Sequence, residues 1–162
     1  MTQTAVVAGI DCGKDSLDLA VVPGKERYHT TNTPSGHRAL IAWLVARGVS
    51  TVGIKASGGY ERPVRDALIA AGLTVHVLDP ARVRHFAKAR GQRAKTDRID
   101  AVMIALFTAQ LGDTPAKQVD PEREALADLV RLRRLLVDKR ADLEKAVARL
   151  PADAAALGGP GS

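Results

Sequence analysis

Apolar positions along the chain alternate at first and later take up helical spacing. Thr4 to Ile10 is apolar and rich in β-branched residues, Ser16 to Val22 alternates, and Gly13 and Lys14 stand between them, so the chain opens on a β-hairpin. After Pro23-Gly24, Glu26 to Thr31 predicts a third antiparallel strand. Ser35 is a candidate cap for a helix whose Leu40, Ile41, Leu44 and Val45 keep helical spacing until Gly48 stops it. Thr51 to Ile54 then reads as a buried strand. The next helix starts between Tyr60 and Pro63, is expected to bury Val64, Leu68 and Ile69, and ends at Gly72, before a strand over Thr74 to Leu78. At Asp79-Pro80 the aspartate can cap a helix and the proline can take its first position, where no N–H is needed. Val83, Phe86 and Ala87 give that helix an apolar face. A further helix is predicted from Asp97, with Ile99, Val102, Met103, Leu106 and Phe107 on one face and Gly112 at its end.

Asp120-Pro121 opens a long helix to Leu150, in which Leu129, Leu136, Leu143 and Leu150 recur at heptad spacing. The positions three residues earlier are Leu126, Arg133, Arg140 and Val147, so half of the seam is apolar. A coiled coil joining two copies through 122–150 and a solvent-facing amphipathic helix both fit this pattern. Hairpin strands followed by alternating helices and strands predict an α/β fold, a mixed sheet with flanking helices. The expected organisation is a domain over 1–112, a linker over 113–121, the long helix over 122–150 and a disordered Ala/Gly-rich tail over 151–162.

Composition narrows the picture. At 162 residues and 46% hydrophobic, one globular domain with a real core and one extra element are affordable, and two large domains are not. No apolar run approaches the roughly 20 residues of a membrane span, and Met1-Thr2-Gln3-Thr4 lacks a signal-peptide layout, so a cytoplasmic location is expected. One cysteine, Cys12, excludes an internal disulfide framework, and the four histidines show no zinc-ligand spacing. The net charge of +6 is local: Arg82, Arg84, Lys88, Arg90, Arg93, Lys95 and Arg98 face Asp97 alone, and the rest of the chain is neutral. Such a segment is either the footprint of a phosphate-backbone contact or a solvated helix face.

The candidate chemistry lies beside it. Asp11 ends the first strand, Lys55 ends a later one, and Asp97 with Asp100, three residues apart, would share a helix face. Clustered carboxylates call for cations, and oxygen ligation suits Mg²⁺ or Mn²⁺, two of which can activate the attacking oxygen and stabilise the leaving oxygen in phosphodiester chemistry. Each residue also has a plain alternative. Asp11 can be a turn residue, and Asp97 and Asp100 a cap and a first-turn carboxylate.

Asp11 with its nearby lysine, the strand ending in Ala56-Ser57-Gly58-Gly59-Tyr60, and Lys95-Thr96-Asp97-Arg98-Ile99-Asp100-Ala101 together resemble the N-terminal domain of the DEDD insertion-sequence transposases. These form the insertion-sequence one-ten family, which includes the pilin-gene invertase. The resemblance covers about residues 5 to 150, and its most specific part is the lysine-threonine-aspartate-two residues-aspartate motif. It implies an RNase H-like, RuvC-like fold, Mg²⁺ held by Asp11, Asp97 and Asp100, a coiled-coil helix leading to a second domain, a structured guide RNA, and DNA strand exchange. Two departures stand out. The family places glutamate where this chain has Lys55, and it continues into a domain carrying a catalytic serine, which is not seen in these residues. The expected function is thus that of a truncated or degenerate transposase domain that still binds DNA and a structured guide RNA, with the Lys55 ammonium standing in for one cation.

Two other classes compete. A Mg²⁺-dependent RuvC-like resolvase would use Asp11, Asp97, Asp100 and Glu61, six residues beyond Lys55. An actin-like ATPase also starts with Gly-Ile-Asp, but needs two lobes. With aromatic residues at only 3%, base stacking cannot dominate, so nucleic-acid contact is expected at phosphates.

Overall fold

The computed structural model describes residues 5–24, 26–91 and 100–151. The predicted motif residues Arg93, Lys95, Asp97 and Arg98, the predicted helical Ile99 and the tail over 152–162 lie outside them.

Five strands, β1 (Val7–Cys12), β2 (Ser16–Val22), β3 (Arg27–Thr31), β4 (Thr51–Lys55) and β5 (Thr74–Leu78), form one sheet in the order β3-β2-β1-β4-β5. Strand β2 runs antiparallel to both β1 and β3, while β4 and β5 run parallel to β1. This is the mixed sheet expected from the sequence. Its two faces carry different layers. Ala8, Ile10 and Cys12 of β1 and Val52 and Ile54 of β4 pack with Leu40 and Leu44 of α1 (Pro34–Val45) and Val64 and Leu68 of α2 (Arg62–Ala70). On the opposite face, α4 (Ala101–Leu111) lies across β1, with α3 (Pro80–Ala89) beside it.

Two glycines decide how closely α4 lies. Gly9 and Gly53 are register partners on β1 and β4. A Cβ on Gly9 would stand 2.3 Å from the Ala101 carbonyl oxygen and the Ala105 nitrogen, and one on Gly53 would stand 1.8 Å from Thr108 Oγ1. The helix therefore turns small residues to the strands. Ala101, Ala105 and Thr108 are buried there, together with Met103 and Ile104, while Val102, Leu106 and Phe107 are only partly buried. The larger apolar face predicted for this helix is displaced because a bulky side chain has no room over the two glycines.

Helix ends follow local chemistry, with two corrections. Thr33, not Ser35, caps α1: its Oγ1 accepts the Gly36 N–H at 3.2 Å, and Pro34 fills the first helical position. Ile69 is 45% exposed because it lies on the outer side of α2, away from Val64 and Leu68. Asp79 caps α3 as predicted, accepting from Ala81 N at 2.8 Å. The Cys12 side chain is buried, and burial, followed by the charges of Glu61 and Asp11, pushes its thiol up to about 12 despite Lys55, so it is unreactive at neutral pH.

The long helix α5 (Pro121–Ala148) belongs to a second unit beginning at Gln118. Asp120 caps it by accepting from Glu122 N and Arg123 N. None of its residues is buried. Among the described residues, no helix is long and apolar enough to cross a membrane.

Candidate functional site

Side chains alternate along a strand, so the face of β1 that holds Gly9 also holds Asp11, and the face of β4 that holds Gly53 also holds Lys55. Continuing the parallel register by two residues brings these side chains together, with Lys55 Nζ 2.8 Å from Asp11 Oδ1. Only 21% of the Lys55 side chain and 15% of the Asp11 side chain are exposed, so the pair is largely withdrawn from water. The lysine faces the carboxylate instead of solvent. On the other side of β1, Asp18 of β2 is opposite Asp11, and His29 of β3 is opposite Asp18. His29 Nδ1 and Asp18 Oδ1 are 2.8 Å apart. Lys55, Asp11, Asp18 and His29 thus make a polar row across four strands on the α4 face.

Asp100 meets this region from the helix. The sequence predicted a helix running from Asp97, with Asp97 and Asp100 on one face, but the helix starts at Ala101 and Asp100 is its extended N-cap, at φ −70° and ψ 150°. An aspartate before a helix competes for the first free N–H groups, and here Oδ1 accepts from Val102 N. Both of its oxygens also accept from Arg27 of β3, Oδ1 from Nη1 at 2.9 Å and Oδ2 from Nη2 at 2.6 Å. Burial pushes the Asp100 carboxyl up, but the Arg27 fork and the helix N–H groups outweigh it and hold the group below the usual carboxylate value. Arg27 is raised in turn by its bonds to Asp100.

Glu61, offered by the sequence as a relocated ligand, is buried and held by its own loop. Its Oε2 accepts from Ser57 N at 3.0 Å, Ser57 Oγ at 2.9 Å and Gly59 N at 2.9 Å. Burial raises this carboxyl, yet these bonds and one from its own backbone lower it further than burial raises it. Gly58 and Gly59 have φ of 76° and 119°, which lets the loop curl around the carboxylate. A second clasp comes from Asn32, whose Nδ2 donates to the carbonyls of Gly13 and Tyr60 while its Oδ1 meets His37 Nε2 at 2.7 Å. It ties the β1–β2 turn to the loop before α2.

The basic residues form a separate surface. Arg82, Arg84 and Lys88 lie on exposed positions of α3, and Arg90 follows at its C-cap. None has a carboxylate partner among the described residues. Arg82 lies over the Phe107 ring at 5.7 Å and Arg90 over Phe86 at 5.5 Å, contacts that keep the charged ends beside the helix.

The described carboxylates do not fit a two-metal centre. Among the described residues, no group of three or more His, Cys, Asp or Glu side chains is arranged to hold a metal ion. Asp11 carries an ammonium, and Asp100 has both oxygens on a guanidinium. A divalent ion about 5 Å from an ammonium is repelled by roughly 7 kcal/mol at an effective dielectric near 20.

A sequence model of the IS110-type DEDD transposases, described as a transposase, matches residues 8–150. The chain belongs to this transposase family. Two curated relatives, pilin gene-inverting proteins from Moraxella lacunata and Moraxella bovis, are each 28% identical to it over 108 residues, 63% of this chain and 34% of theirs. The chain spans about a third of the length of these relatives. Among solved structures, T. thermophilus RuvC in complex with a Holliday junction substrate is similar with a TM-score of 0.49 and 22% identity, over 67% of this chain and 96% of that one. A second Thermus thermophilus RuvC structure has a TM-score of 0.43 and 23% identity, over 70% and 84% of the two chains.

Within this transposase domain, motif reading singled out Asp11, Lys55 and Asp100 but not Arg27, Asp18 or His29. One signal was present: Ser16, Asp18 and Ala20 are the less apolar positions of an otherwise apolar β2, which marks a face with polar company. Nothing local pointed to Arg27, since its partner is 73 residues away.

Proposed function

We propose that this domain serves DNA transposition by binding nucleic acid through the outer face of α3, and that this chain alone does not carry out strand cleavage. The observation that carries the reading is a contrast in pairing: the described carboxylates Asp11 and Asp100 are satisfied internally, whereas Arg82, Arg84, Lys88 and Arg90 are exposed without carboxylate partners among the described residues. Cations left open in this way are suited to phosphates, which fix position without reading bases. The aromatic residues support phosphate contact as well. Trp43 stacks on Tyr28 at 5.2 Å, and Phe86 meets Phe107 edge to face at 5.2 Å, so these rings are engaged within the fold.

Duplex DNA is the proposed ligand, and Arg93, Lys95 and Arg98 would extend the same basic segment. A structured guide RNA offers the same phosphate chemistry and belongs to the proposal as a second ligand of the complete transposase. The test is the salt dependence of binding to a labelled DNA duplex, with a folded RNA hairpin in parallel. Replacing Arg84, Lys88 and Arg90 by alanine is expected to flatten the log–log slope on DNA by about 2.7, at about 0.9 for each lost phosphate contact. An unchanged slope and affinity would leave α3 as a solvated face. The resolvase reading, with Asp11, Asp97, Asp100 and Glu61 around Mg²⁺, is disfavoured by the Lys55–Asp11 contact and by the commitment of Glu61 Oε2 to Ser57 and Gly59.

The α5 helix supports one further part of the reading, self-association of two copies through the 122–150 seam. Leu129, Leu136 and Leu143 expose more than half of their surface, and Arg133 and Arg140 interrupt the same stripe. The pair is expected to be weak.

A further inference from the structure

Cations attached to the fold already occupy the two described carboxylates that the transposase family would assign to metal. Lys55 reaches Asp11 from the neighbouring parallel strand, and Arg27 reaches Asp100 from two strands away on the other side of β1. The two contacts exclude metal in different ways. At Asp11 a compact ammonium, largely shielded from water, holds one oxygen. At Asp100 a planar guanidinium holds both oxygens, while Oδ1 also accepts the Val102 N–H as the helix cap. Mg²⁺ demands near-octahedral oxygen ligation at about 2.0–2.1 Å, which a carboxylate with both oxygens on a guanidinium cannot join without releasing it. The third described carboxylate of this face, Asp18, has an imidazole of its own in His29.

We propose that Lys55 and Arg27 are tethered counter-ions that take the place of divalent metal, so that the carboxylate end of this transposase domain is organised without Mg²⁺ or Mn²⁺. Arg27 is the part that no motif discloses. It neutralises the helix cap, and Lys55 neutralises the strand end, from opposite sides of β1. The inference rests on the family reading of Asp11 and Asp100 as the metal-side carboxylates. The α3 surface is no part of these two pairs, so duplex DNA binding at matched ionic strength should not require Mg²⁺.

Calorimetric titration with MnCl₂ and thermal melting in EDTA and in MgCl₂ test this on the full chain, on Lys55→Glu, and on Lys55→Glu combined with Arg27→Gln. The natural chain is expected to melt at the same temperature in both buffers and to bind Mn²⁺ weakly. Lys55→Glu should tighten Mn²⁺ binding by about tenfold or more, as expected when a repulsive neighbour becomes a ligand. The double variant should bind tighter again and melt higher in Mg²⁺ than in EDTA. Should Lys55→Glu fail to fold, Lys55→Gln, which removes the charge at similar length, carries the same expectation with a smaller gain. Tight binding of two ions by the natural chain overturns the proposal, and so do variants that bind no better than their parent. Duplex DNA affinity measured on the same samples keeps the two readings apart: its loss in the α3 variant bears on nucleic-acid binding, and the Mn²⁺ isotherms bear on the counter-ions.

Discussion

Strand β1 and helix α5 are both rich in large aliphatic residues, but they dispose of them in opposite ways. Five of the six residues of β1 are buried, between strands on both edges and helices on both faces, and its one half-buried residue, Asp11, has a charged partner. In α5 none of 28 residues is buried, and Leu126, Leu129, Leu132, Leu135, Leu136 and Leu143 stay open to solvent. What holds α5 is local: the Asp120 cap, the backbone ladder and an i,i+4 pair between Arg140 and Glu144 at 2.8 Å. Such local terms are worth tenths of a kcal/mol to about 1 kcal/mol each. The sheet unit therefore buries its own aliphatic residues, whereas α5 leaves its leucines exposed.

The strongest way to break this contrast is to fill the space between β1 and α4. Gly9→Ala would set a methyl 2.3 Å from backbone atoms of Ala101 and Ala105, and the expected loss is roughly 3 kcal/mol in urea unfolding. An unchanged midpoint would mean that α4 does not rest on that strand. Next comes Lys55→Ala, which leaves Asp11 mostly buried without its cation. Its expected cost is roughly 1–3 kcal/mol, between the values for exposed and fully buried pairs, and denaturation at pH 7 measures it.

Acid sharpens the same contrast with a smaller effect. Burial holds His37 and His76 below the ordinary histidine value of 6.5, so the unfolded chain binds protons that the folded sheet refuses. Stability should fall as pH drops below about 6.5, by at most about 1.4 kcal/mol per pH unit for each histidine. Glu61 and Asp100 are held below their ordinary values, so their contribution is present above roughly pH 4 and is lost as pH falls towards their folded values. Melting from pH 8 to pH 3 should show both phases, and His76→Asn should weaken the first. The α5 segment holds no histidine, so helicity lost there should not follow that phase.

The smallest effect on stability is expected for Leu136→Asp with Leu143→Asp. The melting of the sheet unit should move by no more than about 0.5 kcal/mol, as for exposed positions generally. Sedimentation at rising concentration should nevertheless lose any association that the natural chain shows. A natural chain that stays monomeric throughout removes the self-association proposal.

Much of the fold could be read in the residues because it is set locally. The hairpin around Gly13, the Asp79-Pro80 start and the stops at Gly48, Gly72 and Gly112 each follow from backbone preferences of a few neighbouring residues. The misses have a common origin in distance along the chain. The inner face of α4 was misread because Gly9 and Gly53 select Ala101, Ala105 and Thr108, and no periodicity within the helix reveals that choice. Asp100 was read as a helical residue because aspartate is equally at home in a first turn and at a cap. At the candidate site, Asp11, Lys55 and Asp100 were visible in a motif, whereas Arg27, Asp18 and His29 reach it through sheet register.

The two-glycine floor under α4 has a consequence for how the site can change. Because the absence of side chains at Gly9 and Gly53 sets how closely α4 approaches β1 and β4, the backbone helps fix the distance from the Asp11–Lys55 row to the Asp100 cap, alongside the Arg27–Asp100 pair. Exchanging one charged side chain at the strand ends is expected to leave the contact of α4 with Gly9 and Gly53 in place. Scaffold and chemistry are thus set by different residues here: Gly9 and Gly53 seat the helix, while Lys55 and Arg27 neutralise the carboxylates.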